Sequence, residues 1–536
     1  MGIGQSLKDI KRMEEVLSVL VKYGFGYVFR DTNLERKWFL KENIDSKKLT
    51  VPIRIRMAMD ELGGSFVKLG QLLSIRADLV GFEIAEELKK LQDQVAPFPS
   101  NKAKEIIENE LRMPIKSVFT KFEEQPVASA SIGQAHKATL KSGAIVIVKV
   151  QRPDIKENMF TDLDIMKKIA EHLKENEFFQ KFKIQEILNE FEDYTKNELD
   201  YMHEARNINE FYINFKNDLV TKIPQVFWKA TTSRILTLEY IKGWRSGDII
   251  KDKKSKLNKK LIAKNIAIST LKQILKYGFF HADPHPGNIF IISNNRIAYI
   301  DFGICGRVNN KLKKQLASLI TDLINKDLDG IIEDLFSIGF VPPEIDKFSL
   351  REEIENKFSQ YYNVSIDQIN LGNLFKELID FSLDYNIQLP HNFILLAKAL
   401  ITAQSVTQEL DHQFNFTTLT EEYITNYMAS ELTPKKIILD YFTQLTKAKR
   451  IVEKLPNQAD SLINKLISGN IQFKFQSEGL EKIGEEINKS GLRRTYGLIL
   501  ATFLIISTIF LLREMTTLSY IGYGLSLLIM IKLFKI

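Results

Sequence analysis

Cysteine is nearly absent from this sequence. Among 536 residues there is one, Cys305, and a single thiol cannot form a disulfide within the chain or supply a cysteine cluster for a metal ion. Disulfide-stabilised secreted domains and thiolate metal centres are therefore excluded, and the composition fits a reducing, cytosol-facing environment.

The sequence also lacks a strong charge bias and an export signal. The formal net charge is +7, with 44% hydrophobic and 26% charged residues, which excludes a disordered chain and a membrane protein with spans along its whole length. Because this basic excess is small, we expect no nucleic-acid partner. Lys8, Asp9 and Lys11 interrupt the N-terminal stretch, so we expect no export by a signal peptide.

Long uncharged runs are absent until the C-terminal end. Tyr496 to Leu512 contains no charge, and a second apolar stretch runs from Leu518 to Ile531. The two runs predict a transmembrane helical hairpin over residues 492–535, and the flanking cations, such as Arg493 and Lys532, place both ends and the main body on the cytoplasmic side of an inner (plasma) membrane. A buried apolar hairpin that forms a homodimer is the alternative.

The densest set of chemistry-bearing residues runs from His281 to Asn288 and is followed by Asp301-Phe302-Gly303. An Asp (Asp283) five positions before an Asn, with two strand-like runs leading to Asp-Phe-Gly, has the form of a kinase catalytic loop. Nucleotide phosphates are strongly negative, so Mg²⁺ is expected on the hard oxygen ligands of Asn288 and Asp301, with Asp283 orienting an attacking hydroxyl or water. The alternatives are a turn-rich loop without chemistry, or a metal hydrolase with His281, Asp283, His285 and Asp301 as ligands.

Other parts of a nucleotide site can be predicted upstream. Lys149 ends an apolar strand, which is the form of the kinase lysine that contacts nucleotide phosphates. Glu204 is the candidate glutamate that pairs with it, and Glu239 and Ile241 fall where a hinge would contact adenine through its backbone. The loop before Gly133 has small residues instead of a glycine-rich sequence, which predicts a stiffer lid over ATP. These residues are Ala128, Ser129, Ala130 and Ser131.

With these motifs the sequence resembles the UbiB/AarF (ABC1-type) family of atypical protein-kinase-like proteins, over roughly residues 50 to 310. The resemblance implies a protein-kinase-like two-lobed fold, binding of ATP and Mg²⁺, and a role in ubiquinone (polyprenyl-quinone) biosynthesis at a membrane. It implies as partners membrane lipid, a quinone precursor or other isoprenoid lipid, and quinone-biosynthesis enzymes.

Period-2 alternation is confined to a few segments and helical periodicity fills the rest, so the fold class is α+β, with an N-terminal helical extension and a mostly helical C-terminal lobe. A long helical pattern runs roughly from Ile184 to Phe215. The predicted divisions are an amphipathic N-terminal helix and linker (1–45), the helical extension (46–115), the kinase-like N-lobe (116–242), the kinase-like C-lobe with added helices (243–485) and the hairpin (492–535).

Two further family marks are Lys68-Leu69-Gly70-Gln71 in the extension and Glu198-Leu199-Asp200. The resemblance implies that the extension folds over the active site, which gives Lys68, Gln71, Glu198 and Asp200 a regulatory role. Glu198 lies on the apolar stripe of the predicted helix and needs a partner, for which Lys68 is the candidate. On one straight helix Glu204 falls opposite Glu198, so either the helix breaks there or the helical wheel misleads.

Three functions fit these residues. The first is an ATPase or small-molecule kinase that supports polyprenyl-quinone synthesis, with Asp283, Lys149 and Glu204 as its catalytic residues. The second is a nucleotide-gated scaffold that holds a lipid or biosynthetic enzymes. The third is a true protein kinase, which is disfavoured because no Ala-Pro-Glu motif closes an activation segment after Asp301.

Overall fold

The structure is a computed structural model that describes residues 3–26, 49–91, 95–173, 184–252, 254–325, 327–338, 351–352, 355, 370–384, 389–431, 480–512 and 515–533. The chain divides into two compact units, Met1–Thr433 and Pro434–Ile536.

Helices make up the first part of the larger unit. They are α1 (Ile3–Leu20), α2 (Val51–Leu62), α3 (Gly64–Ile75), α4 (Ala77–Val80), α5 (Phe82–Leu88), α6 (Ser100–Leu111) and α7 (Ile115–Val118). The amphipathic helix predicted near the N-terminus is α1, which buries Val16 and Leu17 while Ile10 remains exposed. Its Arg12 binds the Asp162 carboxylate at 2.8 Å and the Leu62 carbonyl at 3.0 Å, so α1 packs on its own chain.

Gly70 sets the packing of α3 inside this helical layer. A Cβ at Gly70 would lie 2.3 Å from Cδ1 of Leu91 and 3.0 Å from the sulfur of Met59. A side chain here would therefore require the ends of the Leu91 and Met59 side chains to move aside. The glycine of the Lys68-to-Gln71 motif is thus explained by close helix packing.

The next elements form the N-terminal lobe. They are β1 (Phe119–Phe122), β2 (Ala128–Ser129), β3 (Gly133–Leu140), β4 (Ile145–Gln151), α8 (Ile155–Leu173), α9 (Ile184–Glu198), α10 (Tyr201–Asn214), β5 (Thr221–Lys222) and β6 (Ile235–Glu239). An antiparallel sheet has the order β1-β3-β4-β6, and β2 pairs with β3. Along β4, Val146, Val148 and Val150 are fully buried with Ile106 of α6 in the core. Because side chains alternate along a strand, Lys149 projects from the opposite face.

The helical pattern from Ile184 to Phe215 forms two helices, so of the two alternatives for Glu198 and Glu204 the helix break is the correct one. α9 ends at Glu198 and α10 begins at Tyr201. Asp200 caps α10, since its Oδ1 accepts a hydrogen bond of 3.0 Å from the Met202 amide, which is the preferred role of Asp at a helix start. The break lets Glu198 and Glu204 serve different sites.

The C-terminal lobe is mostly helical and carries short strands. Its elements are β7 (Trp244–Arg245), α11 (Ser246–Lys251), α12 (Lys259–Leu271), β8 (Phe279–His281), β9 (Ile289–Ile291), β10 (Ile297–Tyr299), β11 (Cys305–Arg307), α13 (Asn310–Asn325), α14 (Leu328–Ile338), α15 (Leu371–Asp384), α16 (His391–Leu410) and α17 (Phe416–Glu431). One sheet has the order β5-β10-β9-β7, and β8 pairs with β11. These pairings hold the catalytic-loop segment between β8 and β9 and bring Asp301 close to it.

The smaller unit contains α18 (Leu480–Leu512) and α19 (Thr516–Leu533). The two helices form a hairpin in which the Ser519 hydroxyl donates to the Ser507 carbonyl at 2.9 Å. The predicted transmembrane hairpin is not supported, because among the described residues no helix is both long and apolar enough to cross a membrane. The uncharged run of α18 is near the lower length limit for a span, and polar side chains such as Thr508 and Ser519 recur in both helices.

Candidate nucleotide-binding site

Lys149 lies at the centre of a cleft of charged side chains. Its Nζ is 2.6 Å from Oε1 of Glu204 and 3.5 Å from Oδ2 of Asp301. Strand β4 supplies the lysine, α10 supplies the glutamate, and the segment after β10 supplies the aspartate. The structure thus places three residues, widely separated in sequence, within one ionic cluster.

The pKa values of this cluster reflect strong coupling. Desolvation disfavours the Lys149 ammonium, but the carboxylates of Asp301 and Glu204 outweigh it and raise the pKa of Lys149. Desolvation likewise opposes ionisation of Asp301, yet Lys149 and the Gly303 amide lower the pKa of Asp301 to about 2. Burial raises the pKa of Glu204 against the pull of Lys149. The cleft is therefore built to hold a charged lysine and a charged aspartate side by side.

Glu204 and its helix also fix the backbone after Asp301. The Phe302 amide donates to Oε1 of Glu204 at 3.3 Å, and Nδ2 of Asn207 donates to the Phe302 carbonyl at 3.0 Å. The Phe302 ring is fully buried and packs against Phe211 with ring centroids 4.9 Å apart. The carboxylate of Asp301 is consequently positioned by a rigid support.

His281 joins the catalytic loop to the Asp301 segment. Its Nε2 donates to the Asp301 carbonyl, and its Nδ1 accepts a hydrogen bond of 3.1 Å from the Asp283 amide. Burial lowers the pKa of His281, which agrees with the neutral ring that this pattern requires. His281 therefore positions Asp283 and is not arranged as a metal ligand.

Asn288 and Asp301 have the chemistry of a magnesium site. Nδ2 of Asn288 donates to the Asp283 carbonyl at 3.2 Å, which leaves its carbonyl oxygen as the metal-ligating atom. In the described part of the chain, no group of three or more His, Cys, Asp or Glu side chains could hold a metal ion. A two-residue oxygen set suits Mg²⁺, which keeps several waters and takes further ligands from substrate phosphates. The residues present therefore fit Mg²⁺ and do not form the four-ligand shell of a metal hydrolase.

The small-residue loop is held down by an arginine that the sequence did not reveal. Arg152 donates to the Ala130 carbonyl at 2.9 Å, to the Ser129 hydroxyl at 2.9 Å and to the Ala96 carbonyl at 2.8 Å. The Ala130 amide in turn donates to the Gly133 carbonyl at 2.9 Å. Ala128 lies on β2 and Ser131 is buried. The loop is thus tied to the segment that precedes α6.

The predicted hinge lies at the end of β6. The Glu239 amide donates to the Gln225 carbonyl at 2.9 Å, and its carboxylate is 2.8 Å from Nζ of Lys222. Ile241, two residues further on, is buried. The predicted adenine contacts of Glu239 and Ile241 thus fall at the end of β6 and just beyond it, and the Glu239 amide is already hydrogen-bonded.

The extension reaches the lobe through one buried ion pair. Nζ of Lys68 is 2.9 Å from Oε1 of Glu198, and the two side chains are 9% and 17% exposed. Gln71 lies one turn further along α3 and is half-buried. Asp200 is the helix cap described above and is 3.6 Å from Arg206. Of the four predicted regulatory residues, the structure brings Lys68 and Glu198 together.

A second residue missed by sequence reasoning is Lys398 on α16. Its Nζ is 3.3 Å from Oδ2 of Asp283. No local motif signals it, because it follows Asp283 by more than a hundred residues and sits in an ordinary helical pattern. Only the tertiary fold brings it to the catalytic loop.

Comparisons with known proteins agree with this geometry. Residues 90–335 match the family model described as the ABC1 atypical kinase-like domain, and residues 354–415 match the UbiB helical domain. Protein ACTIVITY OF BC1 COMPLEX KINASE 7, chloroplastic, from Arabidopsis thaliana is 31% identical over 91% of this chain and 68% of its own length. Probable protein kinase UbiB from Aliivibrio salmonicida is 30% identical over 96% of both chains.

A solved structure gives the same result. The complex of Rv3197 with erythromycin from Mycobacterium tuberculosis is 26% identical, with a TM-score of 0.51 over 68% of this chain and 93% of that one. The chain belongs to the UbiB/ABC1 family of atypical kinase-like proteins, and its fold is kinase-like. The family membership predicted from the motifs is confirmed.

Proposed function

We propose that this protein is a Mg²⁺-dependent, ATP-binding phosphotransferase or ATPase. The observation that carries the proposal is the cluster in which Lys149 contacts both Glu204 and Asp301, beside the loop of Asp283 and Asn288. This is the set of charges that phosphoryl transfer uses for positioning and charge stabilisation. The family match and the printed name of the Aliivibrio relative point the same way.

Each residue has a distinct task in this proposal. Lys149, oriented by Glu204, binds nucleotide phosphates, and Asn288 with Asp301 holds Mg²⁺, which would neutralise charge on the phosphates. Asp283, fixed by His281, orients the acceptor hydroxyl or water. The loop of residues 128–131, tied down by Arg152, covers the nucleotide.

The test is Mg²⁺-dependent release of phosphate from ATP by the full chain. We expect Asp301→Asn to lower turnover at least about a hundredfold, because it removes a charged ligand at the reacting phosphates. Asp193→Asn is the matched control, since the Asp193 side chain is 79% exposed and lies outside the cleft. Equal turnover by the wild-type and Asp301→Asn proteins would contradict the proposal.

We further propose that the protein works at a membrane surface, on its cytoplasmic side, and that a quinone precursor or other isoprenoid lipid is its partner. In the smaller unit, large apolar side chains are strongly exposed, and such surfaces mark protein or lipid contacts. Examples are Leu498 (71%), Ile505 (61%), Leu512 (79%) and Leu528 (64%). The quinone pathway is what the resemblance to the UbiB/AarF family implies.

Vesicle flotation and lipid-stimulated turnover test this part. The full chain should float with anionic vesicles, and ATP hydrolysis should rise when vesicles and a quinone-precursor-like phenol are added. Protein that neither floats with the vesicles nor hydrolyses ATP faster in their presence would contradict the membrane role and leave the proposed enzyme activity standing.

A nucleotide-gated scaffold is the second candidate, favoured by the buried Lys68–Glu198 pair that fastens the extension to the lobe. In that case ATP binding changes which lipid or enzyme the protein holds, and turnover is incidental. Asp283→Asn then retains both ATP binding and the quinone content of cells that depend on the protein. Retained binding with a loss of quinone favours the enzyme instead.

A further inference from the structure

The catalytic loop contains no lysine or arginine of its own. From His281 to Asn288 its side chains are those of histidine, alanine, aspartate, proline and asparagine. A triphosphate brought beside Asp283 would therefore meet a negative carboxylate without a cation from the same loop. Any positive charge at this point has to come from another element.

Lys398 supplies such a charge. Its Nζ is 3.3 Å from Oδ2 of Asp283, and the two side chains are 26% and 28% exposed, so the pair is shielded yet open to the cleft. Lys149 and Lys68, by contrast, bind Glu204 and Glu198. Lys398 instead forms its ion pair with Asp283, the residue proposed to orient the acceptor.

The helix that carries Lys398 is rigidly held. Leu395, Leu396 and Ala399, which flank the lysine, are almost fully buried. Further along α16, Oε1 of Gln404 accepts a hydrogen bond of 3.1 Å from the Leu371 amide at the start of α15. A charge mounted on a packed helix keeps its position better than one on a loop.

Resting on the proposed function, we propose that Lys398 is a phosphate-binding residue, delivered by the helical domain, that recognises the terminal phosphate of a nucleoside triphosphate. Without nucleotide it neutralises Asp283. With nucleotide it binds the phosphate group that Asp283 faces, as a lysine does when it acts as a point charge on a phosphate. It therefore distinguishes a triphosphate from a diphosphate.

The experiment measures equilibrium binding of a non-hydrolysable ATP analogue and of ADP, both with Mg²⁺, by calorimetry on the full chain. Lys398→Met should weaken the triphosphate about tenfold or more, because one charge-assisted bond is lost, and should change ADP binding by less than about twofold. Lys398→Arg should retain the preference for the triphosphate. Lys376→Met is the matched control, since it removes a charge from α15, where the lysine lies over the Phe82 ring.

Every result decides the matter. An unchanged ratio of the two affinities in Lys398→Met overturns the inference, as does ATP turnover that rises, which would show that the lysine blocks Asp283. If Lys398→Met does not fold, the ratio of the two affinities is measured on Lys398→Gln instead. Wild-type protein that binds no nucleotide overturns both this inference and the proposed function, whereas binding with an unchanged ratio overturns this inference alone.

Discussion

The Lys68–Glu198 pair should control how firmly the extension is fastened. The two side chains are 9% and 17% exposed, and Oε2 of Glu198 is buried without a hydrogen-bond partner among the described residues. Removing one partner of a buried pair costs about 3–5 kcal/mol, because the other charge is left uncompensated. Since Glu198 keeps some exposure, we expect the lower value, about 3 kcal/mol, for Lys68→Met.

Native-state hydrogen exchange is the assay, because it reports local opening without requiring two-state unfolding of a long chain. A loss of about 3 kcal/mol corresponds to roughly hundredfold faster exchange of the amides from Val67 to Leu73. The double variant Lys68→Met with Glu198→Leu should restore most of the protection, since an apolar pair replaces the ionic one.

Lys22→Met is the control for this measurement. Lys22 pairs with Glu61 at 2.7 Å, but the side chains are 43% and 35% exposed, and such surface pairs contribute about 0–1 kcal/mol. In Lys22→Met the rate of amide hydrogen exchange should differ from the wild-type rate by less than about fivefold. Exchange in Lys68→Met that stays within threefold of the wild-type rate would refute the argument that this pair fastens α3.

Three further predictions concern stability. Gly133→Ala should lower the free energy of unfolding by about 1–3 kcal/mol, measured by urea titration, because its Cβ would lie 2.5 Å from the Val150 carbonyl oxygen and 2.6 Å from the Tyr201 hydroxyl. Phe302→Ala should cost about 3–5 kcal/mol in the same assay, with Phe302→Leu losing less. Burial lowers the pKa of His136 below its ordinary value of 6.5, so as the pH falls below about 6.5 the unfolded chain binds a proton that the folded chain does not. Stability should therefore fall as the pH drops below about 6.5 and continue to fall until the folded-state His136 takes up its proton, and His136→Gln should make that fall smaller; an unchanged pH dependence would contradict this.

The residues that could be predicted are those with short-range signals. Lys149 follows from the alternation of β4, which fixes the face on which the lysine lies. Asp283, Asn288 and Asp301 follow from the spacing of one loop and one strand pair. In each case a few neighbouring residues determine the geometry, so the sequence pattern carries enough information.

The features that could not be predicted depend on contacts across the fold. The break before Tyr201 is a local exception: the sequence left it open as an alternative, and the Asp200 cap, which competes with the helix, decides it. Lys398 reaches Asp283 only because α16 packs against the lobe. The transmembrane hairpin was predicted from the absence of charge in two runs, but among the described residues no helix there is both long and apolar enough to cross a membrane.

A joint of only two residues separates α9 from α10. On one side of the joint Glu198 holds the extension through Lys68, and on the other Glu204 holds Lys149 and the Phe302 amide. A turn of one helix relative to the other would change the spacing between these two contacts. If a nucleotide that moves Glu204 also moves Glu198, reciprocity makes the coupling free energy the same in both directions, so docking of the extension must change the affinity for the nucleotide by the same factor.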